Sequence, residues 1–364
     1  MPRITKKYVS PKVNKESTAL VEEVVKMSMG IGGFILTECT QTATSAANVN
    51  RDMMGITALV QNIQKATSNW SIESSILAAG LPSALYAIQG VLTYTSYQHL
   101  DSVTFNGLTQ IKTLSAALCC YLVLGKMQSK IQIIALGLLS LSTLIFQGML
   151  DEVISKVLSR NKTNHEKKNV NEPKQHDSDA LLNIDGKKRF FLGIVPCLAA
   201  TLLSGLAGAF SQRSLQTIVG SMERNAYFYS AEISFFSALC LVISMVTKKM
   251  FSQKSIDNGS SLGVTKKYDK DKAVISLQKK ASYFDYWTWQ TLVPIFVKAT
   301  GGILTALVHK HSGSVMKGFS LVLGLVFSAL LQTVLDGKNL SLTQLGGTAL
   351  VLLSSWLHFT NPSM

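Results

Sequence analysis

GKMQSKIQ at Gly125–Gln132 and GKNLSLTQ at Gly337–Gln344 are one short connector written twice, 212 residues apart. Gly, Lys, Ser and Gln recur at the same four places, and apolar runs flank both octets. The offset holds outward from them without a gap. Pro82 meets Pro294, Gly90 meets Gly302, Leu92-Thr93 meets Leu304-Thr305, and Ser102-Val103 meets Ser314-Val315. The stretches LPSALYAIQGVLTYTSYQHLDSV (81–103) and VPIFVKATGGILTALVHKHSGSV (293–315) therefore read as two copies of one unit.

What kind of unit follows from composition. Hydrophobic residues make up 47% of the 364-residue chain and charged ones 15%, against about 25% charged in soluble domains. Nine apolar segments, near 18–40, 76–98, 102–124, 130–150, 190–210, 226–247, 287–309, 313–335 and 341–360, are about as long as the ~20 residues a helix needs to cross a bilayer. Segments of this length satisfy their backbone in lipid as helices, not as barrel strands. The expected fold is an all-α polytopic membrane bundle.

Counting crossings gives the architecture. From the span before the first octet to the span before the second, the chain crosses five times, so the two copies point in opposite directions. That is an inverted-topology repeat, an arrangement of many secondary transporters, with the substrate site near midplane. The expected division is a first half-repeat at 1–150, a polar loop at 151–188, and a second half-repeat at 189–364 with its own polar loop at 248–286. Two spans precede the copied unit in the second half and one in the first. A five-plus-five arrangement would therefore have a further helix before residue 18; nine of ten spans are visible, with the first missing.

The net charge of +14 lies mainly in the two polar loops and the first fifteen residues. No basic face interleaved with aromatics is present, so nucleic acid is not an expected partner. The five cysteines, Cys39, Cys119, Cys120, Cys197 and Cys240, lack metal-ligand spacing and read as small apolar fillers. No catalytic triad, Walker loop or cofactor motif is present, and neither an enzyme nor a cofactor is expected. The stretch 43–72 has weak helical periodicity and reads equally as an interfacial helix or a loop.

Charges inside spans are costly, and those that persist are usually paired or functional. Lys112 sits mid-segment in FNGLTQIKTLSAAL, and Lys317 near the start of its span in SGSVMKGFSLVLG. In the repeat register Lys317 matches Phe105, seven residues from Lys112. Seven residues is about two helical turns, so both ammonium groups can face one cavity at different depths. Two such groups without a nearby acid suit a dianionic or diphosphate ligand. Glu232 and Lys298 are also within spans, where an internal ion pair and a substrate role weigh equally. Glu22, Glu23 and Lys26 read as structural or interfacial. Tyr86, Phe105 and Tyr229 are aromatics able to stack on a base. His309 and His311 flank Lys310 at a span end, where solvation at the interface is expected.

These residues also carry a resemblance. The block from Leu81 to Gln132 resembles the signature region of the eukaryotic nucleotide-sugar transporters of the drug/metabolite transporter superfamily, in the branch carrying CMP-sialic acid, UDP-galactose and UDP-N-acetylglucosamine. The family pattern Y-A-x-Q-N, L-D, an aromatic, then Q-x-K stands here as Tyr86, Gln89, Leu100-Asp101, Phe105 and Gln110-x-Lys112. The R-N-x-x-x-Y pattern stands as Arg224, Asn225 and Tyr229, and K-G-F as Lys317-Gly318-Phe319. The resemblance implies an antiporter of the Golgi or endoplasmic reticulum that brings a nucleotide sugar into the lumen and returns the nucleoside monophosphate. It assigns the phosphates to Lys112 and Lys317, and the pyrimidine and ribose to Tyr86, Phe105, Asn225 and Tyr229. Gln89 and Glu232 complete the candidate substrate-binding set.

The sequence departs from the pattern at Gly90 for Asn, Phe105 for Tyr, Thr109 for an aromatic, and Ala231-Glu232 for Ser-Gly. These departures, with the acid in the sixth span, turn the reading from CMP-sialic acid toward carriers of UDP-N-acetylhexosamines. The expected partners are a nucleotide sugar, a nucleoside monophosphate and membrane lipid, with homo-oligomerisation left open. The alternative is a non-transporting membrane scaffold or inactive carrier homologue. The basic loops would be cytosolic by the positive-inside rule but lumenal by the resemblance, which is the orientation expected here. The sequons Asn161-Lys-Thr163 and Asn258-Gly-Ser260 provide reporters of it.

Overall fold

The structure is a computed structural model of the chain, and it describes residues 14–46, 60–61, 63–64, 70–100, 102–146, 190–216, 224–259, 286–336 and 341–361. Asp101, sequon residue Asn161, the loop at 151–188, and most of both the 43–72 stretch and the 248–286 loop lie outside the described residues.

A helix stands at each of the nine apolar segments, and no strand occurs among the described residues. The helices are α1 (Lys15–Ala46), α2 (Ile72–His99), α3 (Ser102–Thr109), α4 (Ile111–Leu124), α5 (Lys130–Phe146), α6 (Phe190–Gln216), α7 (Ala226–Gly259), α8 (Leu292–His311), α9 (Ser314–Asp336) and α10 (Leu342–Thr360). Six spans, at Ile72–His99, Thr104–Leu124, Phe190–Gln216, Ala226–Lys248, Trp289–His311 and Ser314–Leu331, are long and apolar enough to cross a membrane. Their outward faces carry large apolar side chains such as Leu122, Phe327, Leu202 and Phe296. On a soluble protein so much exposed apolar surface would mark a sticky patch; on a polytopic bundle it is the lipid-facing side. The protein is a polytopic helical membrane bundle.

Local sequence explains where these helices depart from the expected boundaries. The segment expected at 102–124 breaks at Gln110, where Gln110 N bonds Gly107 O at 3.2 Å and a second helix starts at Ile111. Gln110 is the N-cap of that second helix, and its carbonyl accepts an additional bond from Ser140 Oγ at 3.3 Å. α6 opens on a π-helical stretch, Phe190–Ile194, and α2 carries one after its first turn, Ile76–Gly80. α7 runs past the expected loop start at 248 to Gly259, because no proline or glycine interrupts 248–258 and Gly259 provides the first stop signal.

The chain forms two compact units, each drawn from both halves of the sequence. The first joins Met1–Ala84 to Thr217–Leu307, and the second joins Leu85–Gln216 to Val308–Met364. These packing units and the half-repeats expected from the register are different divisions of the chain.

In the first unit α1 packs along α7. A Cβ at Gly30 would come within 2.9 Å of Tyr227 O, and one at Gly33 within 2.5 Å of the Tyr227 ring, so only glycine lets the backbones approach. Phe34 and Phe228 close the seam with ring centroids 5.2 Å apart.

In the second unit α6 packs on α4 in the same manner. A Cβ at Gly205 would meet Ser115 Oγ at 2.6 Å and Ala116 N at 2.9 Å. Ser115 Oγ donates to Thr201 O at 3.0 Å across the seam. α5 and α10 are joined where Gly347 lies against the Phe146 backbone and Ser354 Oγ donates to Ala135 O at 2.6 Å. Leu136, Leu139, Phe319, Val322 and Val351 fill the core between these helices. The repeated octets find their local reason here. Ser129 and Gln132 form a reciprocal cap on α5, with Gln132 N donating to Ser129 Oγ and Ser129 N to Gln132 Oε1. Ser341 and Gln344 form the same box on α10. The shared Ser and Gln thus satisfy backbone groups that a helix start leaves orphaned.

Candidate functional site

Lys112 and Lys317 meet in one cavity of the second unit, with Tyr86, Thr109, Gln110, Thr113, Ser204, His309 and Ser314 on the same wall. The break at Gln110 starts a new helix two residues before Lys112, and Gly313, at φ +89°, reverses the chain four residues before Lys317. Each lysine therefore leaves an early turn of its helix, α4 for one and α9 for the other. Small residues on α6 make the room: Ser204, Gly205 and Gly208 line the cavity. A Cβ at Gly318 would collide with Thr113 at 2.7 Å, so the lysine-bearing turn of α9 sits directly against α4.

The Lys317 ammonium lies 6.0 Å from the centroid of the Tyr86 ring, at cation–π range. Among the described residues no carboxylate lines this cavity or pairs with either lysine. The cavity holds about 140 Å³. Pockets that take a whole drug-sized ligand span about 300–1,000 Å³, so this space suits a small dianionic group and not an entire nucleotide sugar.

The remaining candidates fall elsewhere. Gln89 is half-buried and donates to Thr93 Oγ1 at 3.3 Å, and Phe105 stacks edge-on against Tyr97 at 5.3 Å; neither lines the cavity. Asn225, Tyr229 and Glu232 belong to the first unit. Asn225 caps α7, its Oδ1 accepting from Tyr227 N at 2.9 Å, and its side chain also bonds Glu38. Tyr229 is fully buried in α7.

Glu232 does not pair with Lys298. It accepts from Arg224 Nε at 3.0 Å and Nη2 at 2.6 Å, from Trp70 Nε1 at 2.7 Å and from Ser75 Oγ at 2.8 Å. Lys298 instead reaches Glu22 at 3.4 Å, and Lys26 reaches Glu23 at 2.8 Å. The bidentate fork of Arg224 fits a buried carboxylate better than the single, half-exposed ammonium of Lys298.

His309 also departs from expectation. It is 3% exposed, buried on the cavity wall rather than solvated at an interface, whereas His311 is exposed. One helical turn holds both, and the ~100° between successive residues sends them to different faces. Sequence reading also missed Thr109, Gln110, Thr113 and Ser314 as wall residues; Thr109 and Gln110 were visible only as members of a signature block.

A second cavity of about 320 Å³ lies in the same unit, lined by Lys126, Gln128, Gln132, Gln212, Gln216, His311 and His358 among others. Two glutamines one turn apart organise it. Gln212 Oε1 accepts from Ser314 N at 2.8 Å, and Gln216 Nε2 donates to the carbonyls of His309 and Lys310, each at 3.0 Å. They bridge the last turn of α8 and the first of α9, fixing the hairpin that carries Lys317.

Comparison with known proteins places this geometry. The nucleotide-sugar transporter family matches residues 16–359. A UDP-N-acetylglucosamine transporter of Arabidopsis thaliana is 32% identical over 301 residues, covering 83% of this chain and 76% of that protein. The UDP-N-acetylglucosamine transporter of Rattus norvegicus is 23% identical over 257 residues, and the chain spans 62% of its length. The UDP-galactose transporter of Schizosaccharomyces pombe is 24% identical over 278 residues, with 63% of its length covered. The match runs through both lysine-bearing helices and nearly all of the described bundle, and the chain belongs to the nucleotide-sugar transporter family, a family of transporters rather than enzymes.

Proposed function

We propose that the protein exchanges a UDP-sugar, foremost a UDP-N-acetylhexosamine, for UMP across a Golgi or endoplasmic-reticulum membrane by alternating access. The observation that carries this reading is the pair Lys112 and Lys317 on one cavity with no carboxylate among the described residues. Two desolvated cations that none of those residues neutralises are costly unless an anion completes them. A phosphate carried by both substrate and product is such an anion. The Arabidopsis relative, named for UDP-N-acetylglucosamine, supports the choice of sugar. An empty site holding both charges is costly to reorient, which favours obligatory exchange over uniport. An inverted repeat of nine spans is part of the same reading. Glu232 enters it as the residue that anchors Arg224, not as a direct ligand.

The test is reconstitution. UMP-loaded proteoliposomes should take up labelled UDP-N-acetylglucosamine, and unloaded ones should not. Equal uptake by both would overturn exchange, and uptake by neither, across a panel of nucleotide sugars, would favour the scaffold.

A further inference from the structure

His309 Nε2 is buried and has no hydrogen-bond partner among the described residues, and the residue lines the cavity of Lys112 and Lys317. Polar atoms this deep are nearly always paired, and one that is not asks for an explanation. The surroundings point the ring at the cavity. Gly208 lies opposite: a Cβ there would sit 3.9 Å from His309 Nε2 and 3.1 Å from Ser314 Oγ, so the glycine leaves open the space in front of both. The backbone of the ring is held from behind, since Gln216 Nε2 bonds the His309 carbonyl at 3.0 Å. No bond among the described residues accounts for the Nε2 nitrogen.

We propose that His309 is a third phosphate-binding residue of the dilysine cavity, its Nε2–H donating to a phosphate oxygen that nucleotide sugar and returning monophosphate share. The proposal rests on the transport reading above and adds a neutral, directional donor to two ammonium groups that supply charge with little geometry. The bond forms only when ligand is present, which is why Nε2 has no protein partner.

The experiment is ligand-induced thermal stabilisation of the purified full chain, titrated with UMP and, separately, with uridine, which lacks the phosphate. Wild type, His309→Phe and His309→Gln are compared. The expected result is a roughly tenfold weaker apparent affinity for UMP in His309→Phe, as for the loss of one hydrogen bond to a charged group. Uridine binding should be unchanged, and His309→Gln, which keeps an N–H near the same reach, should recover most of the loss. Unchanged UMP affinity in His309→Phe overturns the proposal. So does equal weakening of UMP and uridine, which would mark a packing role. Weakened UDP-N-acetylglucosamine with unaltered UMP would move the contact to the sugar and likewise overturn it. A wild type that UMP does not stabilise sinks the transport reading itself, and this inference with it.

Discussion

The two units treat buried charge in opposite ways. In the first, Glu232 is saturated by Arg224, Trp70 and Ser75, Lys298 answers Glu22, and Lys26 answers Glu23. In the second, Lys112 and Lys317 share a cavity wall with hydroxyls, an amide and an imidazole, and with no acid among the described residues. A paired charge in a bilayer stabilises the fold or at least does not threaten it. A charge left unpaired is tolerated where a partner arrives from outside. On the reading proposed above, the difference is that between scaffold and site.

Breaking a saturated carboxylate should have the largest effect. Glu232→Ala strands the Arg224 fork and should lower stability by about 3–5 kcal/mol, read as a collapsed melting temperature and low yield in the membrane. Arg224→Ala combined with Glu232→Ala should recover part of that loss. If the single variant melts like wild type, the first unit's charges are not structural.

The lysines should show the reverse pattern. Lys112→Ala or Lys317→Ala should leave the protein folded, with a melting temperature equal to or above wild type, while exchange nearly disappears. A charge-assisted phosphate contact contributes about 1.5–3 kcal/mol, about ten- to a hundredfold in affinity. Loss of fold in either variant would place these lysines with the paired group.

The capping boxes give a smaller effect confined to stability. Ser129→Ala and Ser341→Ala should each cost about 1 kcal/mol with transport per folded molecule unchanged. Unequal effects on fold would show that one connector has acquired another task. Least sensitive is Lys126, exposed on the second unit and bonded to Gln216 at 2.8 Å. Lys126→Ala should change transport by less than about twofold. If it proves as damaging as Lys112→Ala, the second cavity is the substrate site and the assignment above is wrong.

Much of this was legible beforehand. Nine helices could be placed because uninterrupted apolar runs of membrane length admit one backbone solution in lipid. The two lysines could be singled out because an ammonium within such a run is anomalous wherever it occurs, and their seven-residue offset put them on one face. What the chain alone left open was partnership. Whether Glu232 bonds Lys298, 66 residues away in sequence, or Arg224, eight away, depends on which side chains a fold brings within 3 Å, and spacing along different helices does not encode that.

The same limit applies to His309. In sequence it is one of three basic residues at a helix end, with the look of a solvated tip; only the approach of the last turn of α8 to Gly208 puts its ring on the cavity wall while His311 is exposed. Nor could the break at Gln110 be read, since no proline marks it and Ser140, whose hydroxyl bonds the Gln110 carbonyl, is 30 residues away. The sequence by itself determined the class, where the apolar helices lie and the two anomalous cations, because these follow from hydrophobicity and local periodicity. Tertiary structure alone decided which charges are neutralised, which cavity stays open and which imidazole faces it, because those are set by close approaches between distant segments where one absent Cβ makes room.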